Sequence, residues 1–297
     1  MACHDGAMSA SAEPPVEVEP PVDAEAPELG YSGRTPYVAY TEADVLRELI
    51  HVNTDEPLEV TFVVTTQIME LHFALLRHEW LLAIRCLDGD DVDAALAALR
   101  RSHAVQDSLS AAWGMLDAMS PVQYNRFREA LGLASGFQSF AYRELEFLLG
   151  VKDEHMLRPH SQMPAIYDEL RASFEAPSLY ERAVALLARR GIAIPQHVLD
   201  RDPRIAWLEP DDAVVEAWRV VYAGGGPLAD LADLADLAEA LVAVAGRHLR
   251  WRFVHYMAVR RILGAKPGTA GSAGLTWLKR AVDQVVFAEL WQVRGVL

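Results

Sequence analysis

From Thr41 to the C-terminus, apolar residues recur at the three- and four-residue spacing of amphipathic helices, and no stretch alternates as a strand would. Thr41, followed by Glu42 and Asp44, offers a capping hydroxyl and first-turn acids, and so predicts a helix start. Residues 59–87 are apolar on more than one face, which predicts a helix buried among others. The run Asp88-Gly89-Asp90-Asp91 ends it, with Gly89 free to turn left-handed. A second helix is predicted over 92–119, stopping where Ser120 can cap and Pro121 can begin the next, over 121–131. A small-residue loop (132–136) precedes a helix over 139–149, and another covers 178–190 with Gly191 as its stop. After the break at Gly224-Gly225-Gly226-Pro227, an LAD repeat places Leu228, Leu231, Leu234 and Leu237 three apart. A strict period of three drifts around a helix, so this predicts the lead-in to one long helix through Trp251 and His255 to Leu263, not a coiled coil. A Gly-rich stretch (264–274) and a last helix over 276–293 complete an all-α pattern.

Composition refines this picture at the N-terminus. Residues 1–34 hold seven carboxylates against one Arg, and five of the chain's sixteen prolines. Such a segment buries too little apolar surface to order itself, so residues 1–35 are expected to be an acidic, Pro-rich disordered tail and 36–297 the functional domain. It has neither the basic start nor the apolar middle of a signal peptide. The net charge of −15 argues against a nucleic-acid partner, which would need a basic stripe. No unbroken apolar run of membrane-spanning length occurs, so no membrane partner is expected. With only Cys3 and Cys86, no disulfide framework forms, and a cytoplasmic location is the default expectation.

Candidate chemistry is sparse from spacing alone. The chain has no HExxH pair, no CxxC, no P-loop and no GxSxG elbow. His248 and His255 share a helix face, which equally describes two core or surface histidines. The Gly-rich stretch from Gly264 to Gly271 is either an anion cradle or a plain loop. Tyr124 and Arg128, one helical turn apart, are suited to a carboxylate but common on surfaces.

Longer stretches carry more. MSPVQYNRFREALGLASGFQSFAYRELEFLLG (119–150), EAPSLYERAVALLARRGIAIP (175–195), WRFVHYMAVRRILGAKPGTAGSAGLTWLKRAVD (251–283) and FAELWQVR (287–294) resemble the tryptophan 2,3-dioxygenase family, in order, from about Pro36 onward. The acidic tail and the LAD run lie outside the resemblance. It implies an all-helical enzyme, usually a homotetramer, that uses haem b and O₂ to open the indole ring of L-tryptophan to N-formylkynurenine. By the same resemblance His255 is the proximal haem ligand, so His248 needs no metal role. Phe62 is the aromatic wall beside the indole. Tyr124 and Arg128 bind the substrate carboxylate, the guanidinium being suited to a bidentate grip. Thr269 helps hold the ammonium, Ser135 and Gly136 form a small distal loop, and Tyr37 and Tyr40 reach into a neighbouring subunit's pocket.

Two departures stand where substrate is expected. Thr66 occupies the position at which the family has a distal histidine, and threonine is no base near neutral pH. His72, six residues on, points about a third of a turn away and is no obvious substitute. Ala270 interrupts the family's double glycine. Three readings follow. One is dioxygenation of tryptophan or a substituted tryptophan. Another is monooxygenation of an indole to an oxindole, with Thr66 diverting the outcome. The third is a non-catalytic haem sensor, against which the retained clamp of Tyr124, Arg128 and Thr269 argues.

Overall fold

A computed structural model describes residues 29–224, 231–269 and 274–297. The expected tail lies largely outside the described residues, as do Gly225, Gly226, Pro227, Leu228 and Ala270. The chain divides into two compact units, 1–49 and 50–297.

In the first unit, α1 (Pro36–Thr41) and α2 (Ala43–Glu48) follow one another closely. Thr35 caps α1, its hydroxyl accepting from the Val38 amide at 3.3 Å, with Pro36 at the first helical position. Thr41 therefore ends a helix and does not open one. Its hydroxyl donates back to the Tyr37 carbonyl at 2.7 Å, and Glu42 turns left-handed (φ 51°) before α2.

The second unit holds the core. The long helix α3 (Pro57–Asp88) turns into α4 (Val92–Ala112), and the left-handed residue between them is Asp90 (φ 61°), not Gly89. An aspartate tolerates that conformation, and Asp91 then caps α4 by accepting from the Ala94 amide at 3.0 Å. α4 stops at Ala112, short of the predicted 119, and α5 (Gly114–Asp117) is a separate turn. Ser120 and Pro121 start α6 (Pro121–Phe127) as the pattern predicts, with a full capping box to Gln123, and a 3₁₀ turn covers Arg128–Leu131. α7 (Phe140–Leu148) comes next, followed by a 3₁₀ segment Glu154–His160 and α8 (Pro164–Glu175). α9 (Leu179–Arg189) ends at Gly191, whose φ of +86° suits a residue without Cβ. Then come α10 (Gln196–Leu199), α11 (Asp212–Ala223) and the second long helix, α12 (Ala232–Leu263). Among the described residues there is no strand.

The predicted last helix is two pieces, α13 (Leu275–Asp283) and α14 (Ala288–Gln292). Phe287 breaks it: the residue is left-handed (φ 58°) and fully buried, stacked on Tyr180 at 5.0 Å. Burial of that ring outweighs helix continuity.

α3, α4 and α12 pack side by side as the central layer, with α7 and α9 against α3 and α13 against α12. Leu76, Trp80, Ala83 and Leu87 meet Leu96 and Leu99, while Leu234, Leu237, Leu241 and Val244 fill the layer from α12. Within the LAD run the leucines that continue inward change from a spacing of three to one of four, as a helix requires. Buried polar contacts fix the register: Gln106 donates to the Val244 carbonyl at 3.0 Å, and His103 bonds the Ala240 carbonyl at 3.2 Å. α3 is long and apolar enough to cross a membrane by length and composition, but it packs as a core helix through the face carrying Trp80.

Candidate active site

A cavity opens between α3 and α12. α3 contributes Thr66, Met69, Glu70 and Phe73, the three- and four-residue spacing of one helix face. α12 contributes Trp251, Arg252 and His255, and α13 contributes Trp277, Leu278 and Ala281. Gly136, Phe137 and Ser139 from the loop before α7, with Tyr142 and Trp113, close the sides. The lining is mainly apolar, with a few polar groups among aromatic and aliphatic ones, as ligand sites are.

His255 faces this space. Its ring lies flat on the Trp113 indole, with centroids 4.3 Å apart and planes 12° from parallel, and Trp251 leans against it at 5.5 Å. Protein surrounds the imidazole, but the cavity leaves it half-exposed, and burial pushes its pKa down to about 4. The ring is therefore neutral near pH 7, the form that ligates a metal. Among the described residues neither of its nitrogens has a hydrogen-bond partner. The indole N–H groups of Trp113 and Trp251 are likewise buried without partners. A neutral imidazole with a free nitrogen, set in an aromatic and aliphatic wall, fits a flat metallated macrocycle such as haem.

Behind that wall lies a charged network. Arg252 donates to Glu146 at 2.7 Å, to the Tyr142 hydroxyl at 3.1 Å and to the Ala281 carbonyl at 2.8 Å, and Arg143 pairs with the other Glu146 oxygen. This joins α7, α12 and α13 around the cavity. His248, buried against Tyr142 at 6.4 Å, has its pKa pushed well down by burial and then by Arg252, and lies outside the lining.

Across from His255, Thr66 is on the lining but its hydroxyl proton is engaged. It donates to the Val63 carbonyl at 2.7 Å, with the Phe62 carbonyl at 3.1 Å. His72 points elsewhere, bonded to the Ile68 carbonyl at 2.6 Å and to Ser108 at 2.8 Å. Phe62, one turn before Thr66, packs on Tyr124 at 6.1 Å and Phe127 at 5.6 Å. The Tyr124 hydroxyl has its pKa raised by burial, opposed by the nearby charge of Arg128. Arg128 is half-buried and donates to the Pro267 carbonyl at 2.5 Å, while Lys266 reaches Asn125 at 3.3 Å. The segment leading to half-buried Thr269 is thus tied to α6 and its 3₁₀ extension. At the far end of the glycine-rich stretch Gly274 has φ +53°, and a Cβ there would meet the Lys266 carbonyl at 3.2 Å.

Thr66, Gly136 and His255 therefore share one cavity, and Ser135 precedes Gly136 in a capping box with Gln138. Phe62, Tyr124 and Arg128 form a neighbouring cluster that adjoins the lining through α3. Tyr37 and Tyr40 belong to the first unit and are highly exposed. Glu70, Trp113, Arg252 and Trp277 were not anticipated. Helical spacing held the signal for two of them: Glu70 is one turn from Thr66, and Arg252 is nearly one turn from His255.

Among the described residues, an all-helical fold presents a half-buried, unpartnered histidine to a mainly apolar cavity, an arrangement that could hold a ligated planar cofactor. The tryptophan 2,3-dioxygenase family model matches residues 22–191 and 220–297, taking in the LAD run and leaving out 192–219. The tryptophan 2,3-dioxygenase of Burkholderia pseudomallei (strain 668) is 38% identical over 273 residues, 91% of this chain and 87% of that protein. Those of Burkholderia mallei (strain SAVP1) and Paraburkholderia phytofirmans are 39% and 37% identical over the same shares. The chain belongs to the tryptophan 2,3-dioxygenase family, a family of haem-dependent oxidoreductases.

Proposed function

We propose that this protein is a haem-dependent oxygenase that adds both atoms of O₂ across the indole C2–C3 bond of L-tryptophan or a substituted tryptophan, giving an N-formylkynurenine-type product. The observation that carries this reading is the unpartnered His255 imidazole, turned into an apolar cavity whose opposite wall is the α3 face bearing Thr66. Haem b held by His255 supplies the binding and activation of O₂. The chain's own residues bind and orient the amino acid. Arg128 grips the carboxylate with Tyr124 beside it, Thr269 meets the ammonium, and Phe62 lies against the indole. Gly136, without a side chain, and Ser135 leave room for the ring. Trp113 and Trp251 confine the His255 ring, and Thr66, its proton directed to its own helix, offers only an acceptor lone pair to the cavity.

The assembly we propose is a cytoplasmic homotetramer in which Tyr37 and Tyr40 complete a neighbouring subunit's pocket. Exposed apolar side chains support it: Leu46 and Leu49 on or beside α2, Leu71 and Leu75 on α3, and Phe253 and Met257 on α12. The domain we assign to this task is 36–297, with 1–35 as a tail.

Reaction with tryptophan under ¹⁸O₂ tests the reading. The product is expected to gain both labelled atoms, and His255→Ala is expected to abolish the Soret band. A one-atom gain would make the enzyme a monooxygenase, and no product across indole amino acids would remove the catalytic reading.

A further inference from the structure

Thr66 leaves a gap in the cavity's chemistry. A threonine whose hydroxyl proton is fixed on the Val63 carbonyl at 2.7 Å neither donates nor takes up a proton near neutral pH. One turn along the same face of α3 stands Glu70, which also lines the cavity, as does Ser139. It is the one carboxylic acid among the cavity-lining residues.

The other ionisable groups nearby are committed. Arg252 and Arg143 share Glu146. The Tyr142 hydroxyl accepts from Arg252 at 3.1 Å, and burial pushes its pKa far up. On the face of α7 toward α3, Glu144 is bonded to Arg77 at 2.6 Å and to Ser173 at 2.7 Å. His255 is reserved for the cofactor. Among the described residues no cation pairs with Glu70, and the Ser139 hydroxyl is the group that opposes the effect of its burial.

We infer that Glu70, the carboxyl on the cavity wall beside Thr66, is the acid–base residue of this cavity, taking up and returning a proton on the side where Thr66 cannot. The inference rests on the haem-site reading of the cavity. Burial raises the carboxyl's pKa, against the smaller opposing effect of Ser139, so the proton is exchanged closer to neutral pH than by an exposed glutamate.

Cyanide is a probe that needs such a group and no turnover. It arrives as HCN, and its proton must leave the carbon before the lone pair can bind ferric iron. A Glu70 carboxylate oxygen would receive that proton, giving cyanide on the iron and a neutral carboxyl. On the haem-loaded protein at about pH 8, Glu70→Gln is expected to slow cyanide association about tenfold or more, a modest share of what general base catalysis delivers. Gln keeps the size. Carbon monoxide carries no proton, so its association with the ferrous form is expected to change less than about twofold in the same variant, and Thr66→Val is expected to leave both rates within about twofold.

Equal slowing of cyanide and carbon monoxide would make Glu70 a matter of access, and unchanged cyanide binding in Glu70→Gln, or slowing in Thr66→Val instead, would assign the proton elsewhere. Each of these overturns the Glu70 proposal while the haem site stands. A wild-type chain that takes up no haem overturns both.

Discussion

At Arg128 two demands meet in one side chain. Its guanidinium donates to the Pro267 carbonyl at 2.5 Å, yet it stays half-buried, with donors left for a carboxylate. Charge-assisted hydrogen bonds contribute about 1.5–3 kcal/mol each. Arg128→Ala is therefore expected to weaken tryptophan binding by about ten- to a hundredfold, with haem loading unchanged, in a titration of the haem-loaded protein. Arg128→Lys keeps the charge but not the fork and is expected to recover only part of the loss. Equal loss of haem and substrate binding would instead mark a folding defect. His255, Thr66 and the Tyr124–Arg128 pair were legible because long stretches of sequence resemble one family, whereas spacing left each of them commonplace. What no pattern could carry is direction. That Thr66 turns its proton back to its own helix depends on a rotamer, and that Glu70 faces a void depends on α7 and α13 packing where they do.

The long helices and the short ones with clear start or stop signals (α6, α7 and α9) were readable, while α8 and α11 were not, for a physical reason. α3 and α12 repeat their apolar face over many turns, so a misplaced end does not disturb the assignment. α8 and α11 were not predicted, and the 192–219 region that includes most of the approach to α11 has few periodic positions. The single predicted C-terminal helix failed at Phe287, where contact with Tyr180, distant in sequence, decides the backbone. Asp90 in place of Gly89 is a similar local choice between two permissive residues. Tertiary polar contacts then hold the helices in position around the cavity. Glu146, buried on α7, serves Arg143 on its own helix and Arg252 on α12. Removing its charge leaves two buried guanidinium groups without their counter-ion, which costs about 3–5 kcal/mol for a broken buried pair. For a unit of this size Glu146→Gln is expected to lower the melting temperature by about 6 °C or more, read by calorimetry on the haem-free protein. A shift under about 2 °C would show that the network is solvated and does not brace the site.

The chain divides at residue 49, and Tyr37 and Tyr40, proposed above to complete a neighbour's pocket, lie in the first unit. Tyr37 is 71% exposed and Tyr40 is 92% exposed, and large rings on short helices stay in water at a cost unless something covers them. The net charge of −15 does nothing to cover those rings, and composition alone gave no hint of a shared site. If each pocket is completed by a neighbour, defects on different chains can compensate. One chain carrying His255→Ala has no ligand for its own haem but keeps both tyrosines, while a second carrying Tyr37→Ala and Tyr40→Ala keeps its haem. Each parent assembly is expected to lose at least about nine-tenths of kcat/KM, a loss of about 1.4 kcal/mol or more in transition-state binding. Mixed assemblies from co-expression are expected to exceed the sum of the two, because some pockets then receive an intact haem site from one chain and intact tyrosines from the other. Sedimentation of the wild type is expected to give a tetramer at the same concentrations. Full activity in the tyrosine double variant would show that each chain closes its own pocket, and mixed assemblies no better than their parents would confine the tyrosines to the subunit that carries them.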